Sequence, residues 1–149
     1  MKKTVTWILV ADGARARILK NDGPGKGIQQ AVDAEFQTEH PRTSEMGTDR
    51  PGRTHESANS ARHALEPTVD WHRFEKEKFA KEMAKILDQA GSTGAYDRLI
   101  LVAPPKTLGD LRGALGDATR KKVSGEIDKD LTHVSVGEMP GRLDAVLAI

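Results

Sequence analysis

The side chains best suited to chemistry are concentrated in one polar stretch, GTDRPGRTHESANSARH, which covers residues 47–63. It holds three arginines and two histidines beside several hydroxyl side chains, and it contains no large apolar residue. An arginine guanidinium can bind a phosphate through two hydrogen bonds and stack on a base, and hydroxyl groups also donate to phosphate. This chemistry is typical of an RNA-binding surface. The residues that we expect to contact RNA or another partner are Arg50, Arg53, His55, Ser57, Arg62 and His63.

The cations of this region are all arginine. Lysine is absent from residues 28–75, although the chain has twelve lysines. Acidic residues offset the arginines, so the region is not strongly positive; they are Glu39, Glu45, Asp49, Glu56, Glu66 and Asp70. A solvated insert that binds nothing is therefore the alternative to RNA binding, and the residues alone leave both interpretations open.

Catalytic and metal sites have weaker support in the sequence. His55 and His63 are eight residues apart and do not form a compact zinc-binding pattern. Ser57 lacks the glycine pattern of a nucleophile elbow, so a serine triad is not supported. Asp12 and Asp128 follow predicted strands, as nuclease carboxylates would, but Asp12 fits a turn better. We therefore expect no catalytic residue, no metal ion and no cofactor.

Composition narrows the class of protein. A chain of 149 residues has the size of one domain, and its net charge of +1 does not indicate a polyanion-binding protein by itself. The absence of cysteine excludes disulfides and thiol catalysis and is typical of a reducing cytoplasm. The apolar run at residues 5–11 predicts a buried strand rather than a signal peptide, and it is too short to span a membrane. We expect a cytoplasmic protein that does not insert into membranes.

Hydrophobic patterning predicts the elements that position the polar stretch. Strands are expected at residues 4–11, 14–20 and 28–37, and a flexible loop at about 38–69. A long helix is expected from Asp70 to Gly91, with Trp71 and Phe74 on its apolar face, followed by a strand at 98–104, a helix at 107–115, a strand at 121–127 and a helix at 139–149.

This order, β-β-β-α-β-α-β-α, predicts an α/β (α+β) fold. Hairpin connections make the first strands antiparallel, whereas a helical crossover makes the last two strands parallel. The expected architecture is one mixed five-stranded sheet with helices packed on it, similar to the ribonuclease H-like arrangement. Residues 1–149 would form a single domain, with the polar loop placed just before the first long helix.

Several stretches resemble a known bacterial family. TWILVADGARARIL at residues 6–19, GRTHES at 52–57 and VSGEIDKDLTH at 123–133 are similar to the host attachment proteins, a family described as required for attachment to host cells. The resemblance covers nearly the whole chain. The order of elements also resembles the middle domain of archaeal and eukaryotic class I peptide-chain release factors and of the Pelota ribosome-rescue proteins.

The second resemblance implies a role for the polar loop. In release factors, the loop at this position carries Gly-Gly-Gln, enters the peptidyl-transferase centre and promotes hydrolysis of peptidyl-tRNA. This sequence has no Gly-Gly pair in residues 38–70 and no glutamine between Gln37 and Gln89. Pelota-like relatives also lack the motif and act by binding. The resemblance therefore implies a protein that binds and is not an enzyme.

Three functions remain in order. The first is a non-enzymatic cytoplasmic protein that binds the ribosome, tRNA, rRNA or a translation-related partner through residues 47–63. The second is an attachment factor that affects adhesion to host cells through protein partners. The third is a peptidyl-tRNA hydrolase with a substituted catalytic loop.

Overall fold

The computed structural model of the protein describes residues 4–31, 35–37 and 57–146, and within residues 57–72 it describes only the helical backbone. Six strands and four helices lie in these residues. The strands are β1 (Thr6–Ala11), β2 (Arg15–Asn21), β3 (Gln29–Gln30), β4 (Phe36–Gln37), β5 (Arg98–Val102) and β6 (Val123–Ile127). The helices are α1 (Ser57–Ser92), α2 (Pro105–Ala114), α3 (Asp117–Arg120) and α4 (Met139–Leu143).

The strands form one mixed sheet in the order β3-β2-β1-β5-β6, and β4 pairs with β2 as well. β1 runs antiparallel to β2 and parallel to β5, and β5 runs parallel to β6. The predicted α/β class and mixed sheet are therefore confirmed, as is the parallel pair joined by a helical crossover. The strand expected at residues 28–37 is instead two strands of two residues each, since its sequence has little apolar alternation.

β1 lies in the middle of the sheet and every one of its residues is buried. Its sequence, TWILVA, is almost continuously apolar because both faces of the sheet are covered. On one face, Trp7 and Leu9 join a core that includes side chains of α1 and α2. On the other face, Ile8 and Val10 pack with side chains from the segment after β6.

The second half of α1 packs on the sheet through a regular apolar stripe. Phe79, Met83 and Leu87 recur every four residues and are buried. At its end, the Tyr96 hydroxyl donates a hydrogen bond of 2.7 Å to the Leu87 carbonyl oxygen, and the Tyr96 ring lies 5.1 Å from that of Trp7. These contacts fix the end of α1 against the start of β5.

α1 begins at Ser57, not near Asp70, so the part of the predicted loop at residues 57–69 is helical. The sequence around Ala61 is rich in helix-forming residues, but Pro67 reads as a break, because proline cannot donate a hydrogen bond within a helix. Here the helix continues through Pro67. The rest of that predicted loop, residues 38–56, lies outside the described residues.

Two smaller differences concern the other helices. The last helix ends at Leu143 instead of extending to residue 149, and α3 was not predicted. α3 begins after Gly116, whose amide donates to Asp88 Oδ1 at 3.1 Å. No helix within the described ranges is both long enough and apolar enough to cross a lipid bilayer.

Candidate functional site

The carboxyl ends of β1, β5 and β6 lie at the same end of the sheet because these three strands are parallel. We call this end the carboxyl edge; the residues that follow the three strands there are Asp12, Ala103 and Asp128. Open α/β sheets commonly bind ligands outside this edge. α1 passes close to it, since a Cβ added to Gly13 would lie 2.8 Å from the Cγ atom of Lys76.

Asp12 closes the turn between β1 and β2. Its Oδ1 atom accepts hydrogen bonds of 2.7 Å from the amides of Ala14 and Arg15, and its own amide donates to the Arg15 carbonyl oxygen at 2.9 Å. Arg15 Nη2 lies 3.8 Å from Asp12 Oδ2. The Asp12 carboxylate is thus used by the turn, which is the interpretation that the sequence favoured over a nuclease site.

A second carboxylate near the carboxyl edge, Asp130, is also held by its own loop. Its Oδ1 atom accepts hydrogen bonds from the Thr132 amide at 2.9 Å and the Thr132 hydroxyl at 2.5 Å. Burial raises the pKa of Asp130, but these hydrogen bonds and the charges of His133 and Arg15 outweigh it, so the pKa lies below its ordinary value. Within the described ranges, no group of three or more acidic or histidine side chains could hold a metal ion.

Arg73, which the sequence places with the arginines of the polar region, has a structural role. It forms an ion pair with Glu77 at 3.1 Å and another with Asp110, so it ties α1 to α2. Arg112 of α2 likewise forms two hydrogen bonds with Glu126 of β6, at 3.0 and 2.7 Å. These guanidinium groups hold the fold together.

The structure places half of the predicted contact residues. Arg50, Arg53 and His55 lie outside the described residues. Ser57, Arg62 and His63 occupy the first two turns of α1, and their side chains are outside the description.

The helical backbone spreads these three positions around the axis. Each residue turns an α-helix by about 100°. Arg62 and His63 are therefore about 100° apart, and Ser57 is about 120–140° from each of them. One flat partner cannot contact all three positions from one side, so the predicted set does not form a single surface of α1.

The sequence analysis missed one exposed aromatic side chain. It placed Phe74 on the apolar face of the helix, but Phe74 is 55% exposed in the structure. The buried stripe of Phe79, Met83 and Leu87 has a spacing of four residues, and Phe74 is out of phase with it. The phase of this stripe is the signal that could have identified Phe74 as a surface residue.

Comparisons with known proteins follow from this geometry. A family model described as "Protein required for attachment to host cells" matches residues 7–143. Among solved structures, the crystal structure of an archaeal translation termination factor, aRF1, is weakly similar, with a TM-score of 0.46 and 11% sequence identity. The match covers 95% of this chain and 38% of that one, so the chain spans well under half of the archaeal factor. A search of the curated proteins finds no match.

Proposed function

The chain belongs to the family of proteins required for attachment to host cells, and from that premise we propose that it acts by binding RNA, without catalysis. The RNA would be free or part of a ribosome, and the binding segment would be residues 47–63. One observation carries the proposal: this segment has three arginines and no lysine, and polar hydroxyl groups accompany them. That combination suits contacts to phosphate and to bases.

The described part of the fold supports a division of labour. Its arginines are largely used inside the molecule, as Arg73 and Arg112 show. The carboxyl edge offers Arg15 together with Asp12 and Asp130, so its charges are balanced. Attraction for a polyanion would therefore come from the arginine segment that leads into α1.

Sedimentation with ribosomes at low salt tests this proposal. We expect the wild-type protein to sediment with ribosomes, because contacts to phosphate strengthen as salt falls. The double variant Arg50→Ala with Arg53→Ala should stay in the supernatant. The matched control is Arg98→Ala with Arg142→Ala, which removes the same charge from exposed positions of the described fold. Equal behaviour of the two double variants would contradict the proposal.

The family description favours a second candidate, an attachment factor that acts through protein partners. Cell fractionation separates the two candidates. Recovery of the protein on the cell surface would support the attachment factor and contradict a cytoplasmic RNA-binding protein. Recovery in the cytoplasm with bound RNA would support the first candidate. Release of peptide from peptidyl-tRNA would instead support a hydrolase.

A further inference from the structure

One exposed face of α1 carries an aromatic ring and three lysines in a row. We call these residues, Phe74, Lys78, Lys81 and Lys85, the α1 stripe. Their spacing of four, three and four residues places them on the same side of a helix. Phe74 is 55% exposed and all three lysines are exposed.

The α1 stripe points away from the sheet. Lys78 and the fully buried Leu87 are nine residues apart, so they lie on opposite sides of the helix, about 180° from each other. The three lysines span about 10 Å along the axis, and Phe74 lies about 6 Å beyond Lys78. A linear partner could therefore contact all four side chains at once.

The α1 stripe has an excess of positive charge. Lys78, Lys81 and Lys85 form no ion pair with another described residue. The nearby carboxylate of Glu77 is already paired with Arg73 at 3.1 Å. Glu82 lies beside the stripe and offsets only one of its charges, so three cations face solvent against one acid.

We propose that the α1 stripe binds single-stranded RNA, with the lysines on backbone phosphates and the Phe74 ring stacked on a base. Single-stranded nucleic acids are bound by a positive track combined with aromatic platforms, which is the combination present here. An acidic protein partner would not explain the exposed ring. A membrane-binding helix needs a broader apolar face than one phenylalanine provides.

This inference rests on the proposed function for the class of partner, but it uses different residues. It adds a second contact surface on the helix that begins within the arginine segment. His63 lies fifteen residues before Lys78 on α1, which is about 60° around the axis if the helix is regular. Of the predicted contact residues on α1, His63 is thus positioned nearest to the line of the stripe.

Fluorescence anisotropy with a labelled RNA of about 12 nucleotides and mixed sequence tests the inference. The stripe variant is Lys78→Gln, Lys81→Gln and Lys85→Gln; glutamine has a helix propensity similar to that of lysine. The matched control is Lys106→Gln, Lys121→Gln and Lys129→Gln, which removes three equally exposed charges elsewhere. We expect the stripe variant to bind at least about tenfold more weakly than the control, and its slope of log affinity against log salt to fall by about 2.

Two single variants test the details of the contact. Phe74→Leu should weaken binding roughly tenfold through the loss of stacking, whereas Phe74→Trp should retain it. Glu82→Gln should tighten binding about twofold, since it removes the one acid beside the stripe. All of these side chains lie on the exposed face of α1, so circular dichroism should show an unchanged fold.

The outcomes separate this inference from the proposed function. If the stripe and control variants bind RNA equally while Arg50→Ala with Arg53→Ala binds more weakly, the stripe is excluded and the arginine segment stands. If the stripe variant alone loses affinity, the stripe is supported and the arginine segment is excluded. Binding to vesicles of phosphatidylserine with no binding to RNA would overturn both.

Discussion

The two faces of the sheet are covered in different ways. On one, which we call the helical face, α1 and α2 pack a continuous apolar core that includes Phe79, Met83 and Leu87. On the other, the loop face, residues 128–146 form mostly irregular structure with only the short helix α4. The helical face shows how a repeating apolar pattern builds a layer, whereas the loop face must be held by other means.

Arg17 of β2 supplies part of that support. It lies on the loop face opposite Val10, and its Nη2 atom donates hydrogen bonds to the carbonyl oxygens of Leu131, at 3.2 Å, and Val134. Carbonyl groups in an irregular segment need such donors when they are buried. The comparison therefore predicts that distributed packing dominates the helical face, and that one polar anchor dominates the loop face.

The largest effect should follow from opening a cavity in the helical face. Leu87→Ala should reduce the free energy of unfolding by about 3 kcal/mol, because Leu87 is completely buried among large side chains. Urea unfolding measures this loss. Gln89→Ala, on the exposed side of the same helix, is the control and should change stability by less than about 0.5 kcal/mol. An equal effect of the two variants would remove the basis for the comparison.

The loop face should respond to the loss of its anchor. Arg17→Ala should cost about 1–3 kcal/mol, because the two carbonyl oxygens lose their charged donor. Hydrogen exchange should accelerate in residues 128–146 and remain slow in α1. If exchange accelerated uniformly, the two faces would unfold together and the comparison would need revision.

A smaller effect should come from the hydroxyl that ends α1. Tyr96→Phe removes the 2.7 Å hydrogen bond to Leu87 and should cost about 1 kcal/mol in urea unfolding at neutral pH. Burial raises the pKa of Tyr96 in the folded state above its ordinary value of 10.0, so the folded protein holds this proton more tightly than the unfolded chain.

That pKa shift gives a pH test. The contribution of the Tyr96 hydroxyl to stability is fully present below pH 10 and is lost as the pH rises through the folded-state pKa. The difference in stability between wild type and Tyr96→Phe should therefore shrink above about pH 10. A difference that stayed constant with pH would show that the hydroxyl is not held as the structure indicates.

The smallest effect should come from Asp130 in the loop face. Its lowered pKa means that its charged form stabilises the fold above the ordinary aspartate pKa, and that this contribution is lost as the pH falls through the folded-state value. Because Asp130 is exposed, Asp130→Asn should change stability by less than about 0.5 kcal/mol. An NMR titration of the Asp130 carboxyl group would show the direction of the shift directly.

Short-range signals explain what could be predicted from the sequence. The apolar run of β1, the Asp12-Gly13 turn and the helical crossover between β5 and β6 all rest on neighbouring residues, and the structure confirms them. The start of α1 was missed because Pro67 and the lack of an apolar stripe hid a helix. Arg17 was missed because its partners lie more than a hundred residues away, at separations of 114 and 117 positions.

The candidate site was predicted less completely than the fold. Residue types identified an arginine segment, but the phase of α1 decides which of its residues share a side, and that phase depends on packing. Ser57, Arg62 and His63 are separated around the helix for this reason. Phe74 stands on the exposed side for the same reason, although its type alone predicts burial.

The most direct test of the proposed function is the salt dependence of RNA binding by wild type and by Arg50→Ala with Arg53→Ala. Two arginines on phosphates should contribute about 1.4 to the slope of log affinity against log salt for a single strand. We predict that the double variant loses that contribution while its urea unfolding curve matches that of wild type. Unchanged slopes, or a wild-type protein that does not bind RNA at low salt, would contradict the account.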